Sequence, residues 1–157
     1  LGFSPENLVG SELLDERVKR AREVLPASTR VISGDSSTIA FPEASFDIVL
    51  QSTVFSSILD DAFRIKLAEK MWGLVKPGGG VLWYDFIYNN PRNPDVKGVS
   101  LKKIKELFPY ASVKVWRLTL APPISRKVVQ IHPGLYTLLN LLPFLRTHVL
   151  CWIGKVK

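Results

Sequence analysis

The stretch from residue 45 to residue 84 constrains the fold more than any other. Ser45-Phe46-Asp47 opens an apolar run, Ile48-Val49-Leu50, that stops at Gln51-Ser52. Phe63, Leu67, Met71, Leu74 and Val75 then recur at helical spacing, Lys76-Pro77-Gly78-Gly79-Gly80 follows, and residues 81–84 are again a strand. Two short strands separated by one long helix are joined most simply as parallel neighbours with the helix packed on one face. The glycines leave a helix and enter a strand, so the expectation for Gly78–Gly80 is a C-terminal glycine cap. A phosphate-cradling loop runs the opposite way, from strand into helix.

The rest of the chain extends this alternation. Residues 7–12 read as a short strand, followed by a helix with Leu14, Val18, Ala21 and Leu25 on one face and Pro26 at its end. Residues 29–33 make a second strand that runs into Gly34-Asp35. Beyond residue 84, Asn89-Asn90-Pro91-Arg92-Asn93-Pro94 is a turn-rich loop. A helix capped by Ser100 follows, with Leu101, Ile104, Leu107 and Phe108 inward and Lys102, Lys103 and Lys105 outward. Residues 113–120 read as a strand broken by Pro122-Pro123, residues 136–142 as helical, and residues 147–156 as a final strand. The fold class is α/β, a mostly parallel sheet ending in an antiparallel C-terminal edge pair, in one domain spanning 1–157.

A length of 157 residues and an apolar content of 46% suit one packed domain and argue against disorder. The formal charge of +7 favours anionic partners without identifying one. A single cysteine, Cys151, has no internal disulfide partner, which points to a reducing cytoplasm, and its apolar neighbours suggest a buried inert thiol. Residues 135–153 approach the length of a membrane span, but Pro143, Arg146, Thr147 and His148 interrupt them, so a helix and a strand are expected. Peripheral contact of that helix with a membrane stays open.

Open parallel sheets bind ligands beyond the carboxyl ends of their strands. Three such ends carry polar residues here: Glu12, Asp35 and Gln51-Ser52. An ionised carboxylate is a pure acceptor and can hold both hydroxyls of a ribose. A second carboxylate one strand later can accept from an adenine amino group beside a backbone N–H for a ring nitrogen. Together they would read an adenosine. For each acid the bland alternative is a helix-entry or turn residue. No His/Cys/Asp cluster has metal-ligand spacing and no Gly-x-Ser-x-Gly elbow occurs. Asp85, Tyr88, His132 and His148 are competent bases by chemistry alone, with His148 read as a structural residue and His132-Pro133-Gly134 as a turn. None is assigned as catalytic.

In order and spacing, the Glu12 segment, Gly34-Asp35, Phe46-Asp47-Ile48-Val49 and Val75-Lys76-Pro77-Gly78-Gly79-Gly80-Val81-Leu82 resemble the class I S-adenosylmethionine-dependent methyltransferases. The resemblance covers nearly all of the chain. Asn-Pro-Arg-Asn-Pro and the later Arg-Thr-His are similar to a bacterial subgroup with surface-glycan or small-molecule contexts. It implies a Rossmann-like sheet and S-adenosylmethionine as methyl donor. Glu12 would hold the ribose with Leu13 against the nucleoside, Asp35 the adenine amino group with the Ser36 N–H beside it, and Gln51 and Ser52 would lie beneath the methionine portion. The family's first strand and its glycine-rich loop are not found in the sequence, which resembles an N-terminally truncated member. That loop lets backbone approach the methionine closely, so its absence weakens the expected cofactor site.

The expected function is therefore methyl transfer from S-adenosylmethionine to a small molecule or glycan, with residues 89–99 and 122–143 walling the acceptor. One rival is a nucleic-acid methyltransferase, suggested by net charge. It is disfavoured because the basic residues are dispersed and Lys102, Lys103 and Lys105 fit an ordinary exposed helix face. The other rival is a non-catalytic methyltransferase-like fragment.

Overall fold

The strands and helices expected from the sequence form in the expected order, with one more helix than the sequence suggested. A computed structural model describes residues 3–91 and 93–156. Arg92, part of the turn-rich loop, lies outside them. The chain divides into two units, Leu1–Phe41 and Pro42–Lys157.

In the first unit, β1 (Val9–Glu12) and β2 (Arg30–Ser33) pair in parallel, Val9 opposite Arg30 and Glu12 opposite Ser33. Helix α1 (Asp15–Val24) connects them. Of its expected apolar stripe only Val18 is buried; Leu14 and Leu25 remain 50% and 42% exposed. Two four-residue strands offer too little surface to cover a whole helix face.

The second unit holds a four-stranded sheet in the order β3 (Phe46–Ser52), β4 (Val75–Phe86), β6 (Arg146–Gly154), β5 (Ser112–Leu120). β3 and β4 are parallel, whereas β6 is antiparallel to both β4 and β5, as an antiparallel C-terminal pair requires. Alternation along the strands puts Val81, Trp83, Val149, Cys151 and Ile153 on one face. That face packs on α2 (Asp61–Leu74) through Leu67, Ala68 and Met71, and on α3 (Leu101–Leu107) through Ile104, with Phe108 just beyond it. Trp83 is the centre of this core, its ring 4.4 Å from that of Phe55 and 6.2 Å from that of Phe108. The other face carries Ile48, Leu50, Trp116 and Leu118, all exposed, beside the half-buried Tyr84, His148, Leu150 and Trp152.

The cap expected at Ser100 forms, and α2 has a side-chain cap as well. Asp60 accepts from the N–H groups of Ala62 and Phe63 at the start of α2, and Ser100 accepts from Lys103 at the start of α3. The glycine run behaves otherwise than expected. Helix α2 ends on Val75 in an extended conformation, and the Lys155 ammonium donates to the carbonyls of Trp72 and Val75 at 2.9 Å each. A cation thus closes this helix C-terminus, as its dipole favours, where a glycine cap was expected. The glycines belong to the start of β4. A side chain on Gly79 would put its Cβ 2.4 Å from the Asp47 carbonyl oxygen, and one on Gly80 2.6 Å from the Trp152 ring. Close backbone approach is what demands glycine there.

The excursion between β5 and β6 departs from expectation in one respect. Pro122-Pro123 ends β5 but opens a helix, α4 (Pro122–Ile131), because proline is compatible with the first helical positions, where no intrahelical N–H is required. His132 then caps α5 (Pro133–Asn140) by accepting from the Gly134 N–H at 3.0 Å.

Candidate functional site

Parallel pairing of β1 with β2 puts Glu12 and the Gly34-Asp35 turn at the same end of the first unit. Glu12 is the last residue of β1, and its Oε1 accepts from the Leu14 N–H at 3.1 Å where the chain turns into α1. Its Oε2 lies 3.8 Å from Arg17, a loose contact between partly solvated groups. Leu13, between the acid and the helix, is 67% exposed. Asp35 accepts from the Ser37 N–H through Oδ1 at 2.8 Å, and its carbonyl accepts from Thr38 and Ile39. The turn is a side-chain-closed one of the kind aspartate favours. Ser36 is held to the end of β1 by a 2.8 Å hydroxyl–hydroxyl bond with Ser11. The sequence-predicted Glu12, Leu13, Asp35 and Ser36 thus cluster at one edge of this unit.

These groups suit an adenosine in one specific respect. Each carboxylate commits one oxygen to a backbone N–H; the second of Asp35 has no partner among the described residues and that of Glu12 has only the loose Arg17 contact, while the Ser36 N–H has no acceptor among the described residues. Ser37 Oγ, which the sequence did not single out, is buried there without a partner among the described residues.

In the second unit Gln51 and Ser52 end β3 beside Trp83 and Tyr84 of β4. They face opposite ways. Gln51 is buried, its Nε2 donating to the Tyr84 carbonyl at 3.4 Å and its Oε1 accepting from the Val54 N–H at 3.2 Å. Ser52 is exposed. Thr53, next along, has φ of 56°, a left-handed conformation rare for a β-branched residue. Its N–H donates to the Tyr84 carbonyl at 2.8 Å and its hydroxyl to the Ser52 carbonyl at 2.8 Å, which holds it there. Strain of this kind concentrates at functional sites, and no local sequence signal announces it.

Asp85 is fully buried, and both its oxygens accept backbone N–H groups, from Ser56 at 3.1 Å and Phe86 at 2.9 Å. Burial pushes its pKa up, partly offset by these donors. It pins the turn Phe55–Ser57 to β4, which is a structural task. Tyr88 accepts from Arg117 at 3.1 Å on the surface, and His132 is committed as the α5 cap. His148 lies in β6, stacked on Tyr84 with ring centroids 5.3 Å apart and edge-on to Phe86 at 5.9 Å. Burial lowers its pKa, and the nearby Asp85 charge opposes that shift. Cys151 is fully buried, and burial pushes its thiol up to about 11. It is inert at neutral pH, as its apolar neighbours suggested.

A pH dependence follows from His148. Its folded pKa lies below 6.5, so the unfolded chain takes up the proton first and folding stability should fall as pH drops through 6.5 towards the folded value. The His148→Gln variant should lose that component of the slope. Urea unfolding of both proteins between neutral and mildly acidic pH measures it; identical slopes would refute the assignment.

The comparisons with known proteins can be set on this geometry. Residues 2–83, just over half of the chain, match the family described as a methyltransferase domain. A SAM-dependent methyltransferase from Archaeoglobus fulgidus superposes with a TM-score of 0.67 at 15% identity, covering 94% of this chain and 75% of that one. One from Mesorhizobium loti gives 0.68 at 14%, covering 94% and 80%. A Haemonchus contortus phosphoethanolamine N-methyltransferase in complex with S-adenosyl-L-methionine gives 0.64 at 16%, covering 96% and 44%. At such identities the superpositions show the fold alone, and that fold is the Rossmann-like methyltransferase one. No curated protein sequence is close enough to count as a match. The match over residues 2–83 shows the family: this chain belongs to the methyltransferase-domain family, enzymes whose methyl donor is S-adenosylmethionine.

Proposed function

We propose that the protein methylates a hydroxyl of a small molecule or glycan in the cytoplasm, as a member of the bacterial subgroup with such acceptors. The observation that carries the cofactor half is the edge shared by Glu12 and Asp35, each with only one carboxylate oxygen committed to a backbone N–H. Glu12 takes the ribose hydroxyls and exposed Leu13 covers the nucleoside. Asp35 accepts from the adenine amino group and the Ser36 N–H donates to the ring. Gln51 shapes the β3 end by gripping Tyr84 and Val54, and Ser52 faces the methionine portion.

When bound, S-adenosylmethionine supplies a methyl group on a positively charged sulfur, open to in-line displacement. The protein's task is alignment and exclusion of water, which can supply much of such a rate. As the O–CH3 bond forms and the S–CH3 bond breaks, the acceptor hydroxyl gives up its proton, which leaves to water; no described residue is assigned as its base. Residues 89–99 and the excursion of 122–143 are proposed to wall the acceptor. Small-molecule acceptors find support in structural neighbours that act on phosphoethanolamine and, in Burkholderia thailandensis, on 1,6-didemethyltoxoflavin. A nucleic-acid acceptor finds less support, since Lys102 and Lys103 lie near Glu106 and Asp61 in ion pairs on α3 and α2.

The strand and glycine-rich loop that the family places ahead of β1 would supply the backbone approach to the methionine. Calorimetry on the 157-residue chain should therefore give millimolar affinity for S-adenosylmethionine or weaker, about 4 kcal/mol of binding free energy. Supplying the family's first strand and loop ahead of residue 1 should bring both tight binding and methyl transfer. Micromolar affinity of the chain alone would refute the role given to the loop, and a completed chain that stays inert would favour a non-catalytic fragment.

A further inference from the structure

The hairpin of α4, α5 and the turn Pro143–Leu145 is rich in large apolar side chains, yet none of its residues is buried. Ile131 is 76% exposed, Phe144 70%, Leu141 66% and Leu138 60%. Apolar side chains clustered on one exposed excursion mark a docking surface. The charge around them has one sign. No Asp or Glu occurs anywhere from Leu107 to the end of the sequence, while Arg126 and Lys127 stand exposed on α4. Neither has an ion-pair partner among the described residues. Arg146, by contrast, is turned inward, donating to the carbonyls of Asn140 at 2.7 Å and Arg117 at 3.0 Å, and so ties the base of the hairpin to β5.

We propose that this hairpin seats the protein on an anionic lipid bilayer, with Ile131, Leu138, Leu141 and Phe144 entering the headgroup boundary and Arg126 and Lys127 meeting the lipid phosphates. Among the described residues no helix is long and apolar enough to cross a membrane, so the contact is interfacial. Charge selects this occupant over a second copy. Two such hairpins face to face would oppose basic residues with no acid in either to pair them, whereas an anionic surface attracts both. The inference uses none of the residues assigned to the cofactor; it shares the 122–143 excursion with the proposed acceptor wall, and vesicle binding reads the hairpin without any acceptor present.

Sedimentation of the chain with vesicles tests it. Vesicles of phosphatidylcholine mixed with phosphatidylglycerol should carry the protein down at low salt, and phosphatidylcholine alone should retain at least about tenfold less. Replacing Arg126 and Lys127 by Gln should weaken the anionic partition by about fivefold for each charge removed. Both side chains are exposed, so the substitutions chiefly remove charge. Ile131→Ser with Phe144→Ser should weaken partition to both vesicle types at an unchanged thermal midpoint, because both side chains are exposed already. No sedimentation with anionic vesicles, equal sedimentation with both types, or a vesicle-free dimer abolished by Ile131→Ser would each overturn the proposal.

Discussion

Trp83→Ala should destabilise the second unit by about 3–5 kcal/mol, against a net stability of about 5–15 for a domain of this size. The side chain is completely buried at the crossing of β4 with α2 and α3, and its ring touches Phe55 on one side and Phe108 on another. Removing it loses the transfer free energy of the largest core residue and leaves a cavity that short loops cannot refill. Trp83→Phe gives the control. It retains most of the packing and removes the indole N–H, which is buried without a partner among the described residues, so it should cost far less than the alanine variant. Urea unfolding followed by circular dichroism measures both; equal losses would show that packing is not what Trp83 contributes.

Arg64→Met should cost about 2–4 kcal/mol through polar groups rather than volume. The guanidinium is 1% exposed and donates to the Phe55 carbonyl at 3.1 Å, to Asp61 at 3.1 Å and to the Lys97 carbonyl at 3.3 Å. It therefore joins the turn after β3 to the segment before α3. Methionine fills similar space but leaves the Lys97 carbonyl without that donor; the Phe55 carbonyl keeps its bond from the Ile58 N–H. Arg64→Lys should rescue little, because an ammonium cannot span three acceptors with a planar fork. Unfolding midpoints of the three proteins check this, and full rescue by lysine would show that charge alone is required.

How far the fold could be read depended on how local each cause was. Strand alternation, the α2 stripe and the Ser100 cap are local patterns, and they formed where expected within a residue or two. The end of α2 is not local. Its carbonyls are closed by Lys155, far along the chain, which no window around Gly78 could reveal. Helix α4 was missed because two prolines read as a break, although the same residues begin a helix equally well.

For the candidate site, the residue types at strand ends were legible, since Glu12 and Asp35 each stand three residues beyond the last apolar residue of a short strand, Val9 and Ile32. Their use of one oxygen each was not, because it depends on where the Leu14 and Ser37 amides point. The left-handed Thr53 and the Tyr84–His148 stack were also invisible, the first being a backbone angle and the second a pairing across β4 and β6.

The adenosine assignment of Glu12 and Asp35 is most directly tested by amide NMR during titration of S-adenosylmethionine into the isotope-labelled 157-residue chain, which registers even millimolar binding. The amides of Leu13, Leu14, Ser36 and Ser37 should shift together along one saturable curve. Glu12→Ala and Asp35→Ala should each weaken that curve by about tenfold, the loss of roughly one charge-assisted hydrogen bond. Saturable shifts that leave these four amides unmoved, or an affinity indifferent to both substitutions, would contradict the account.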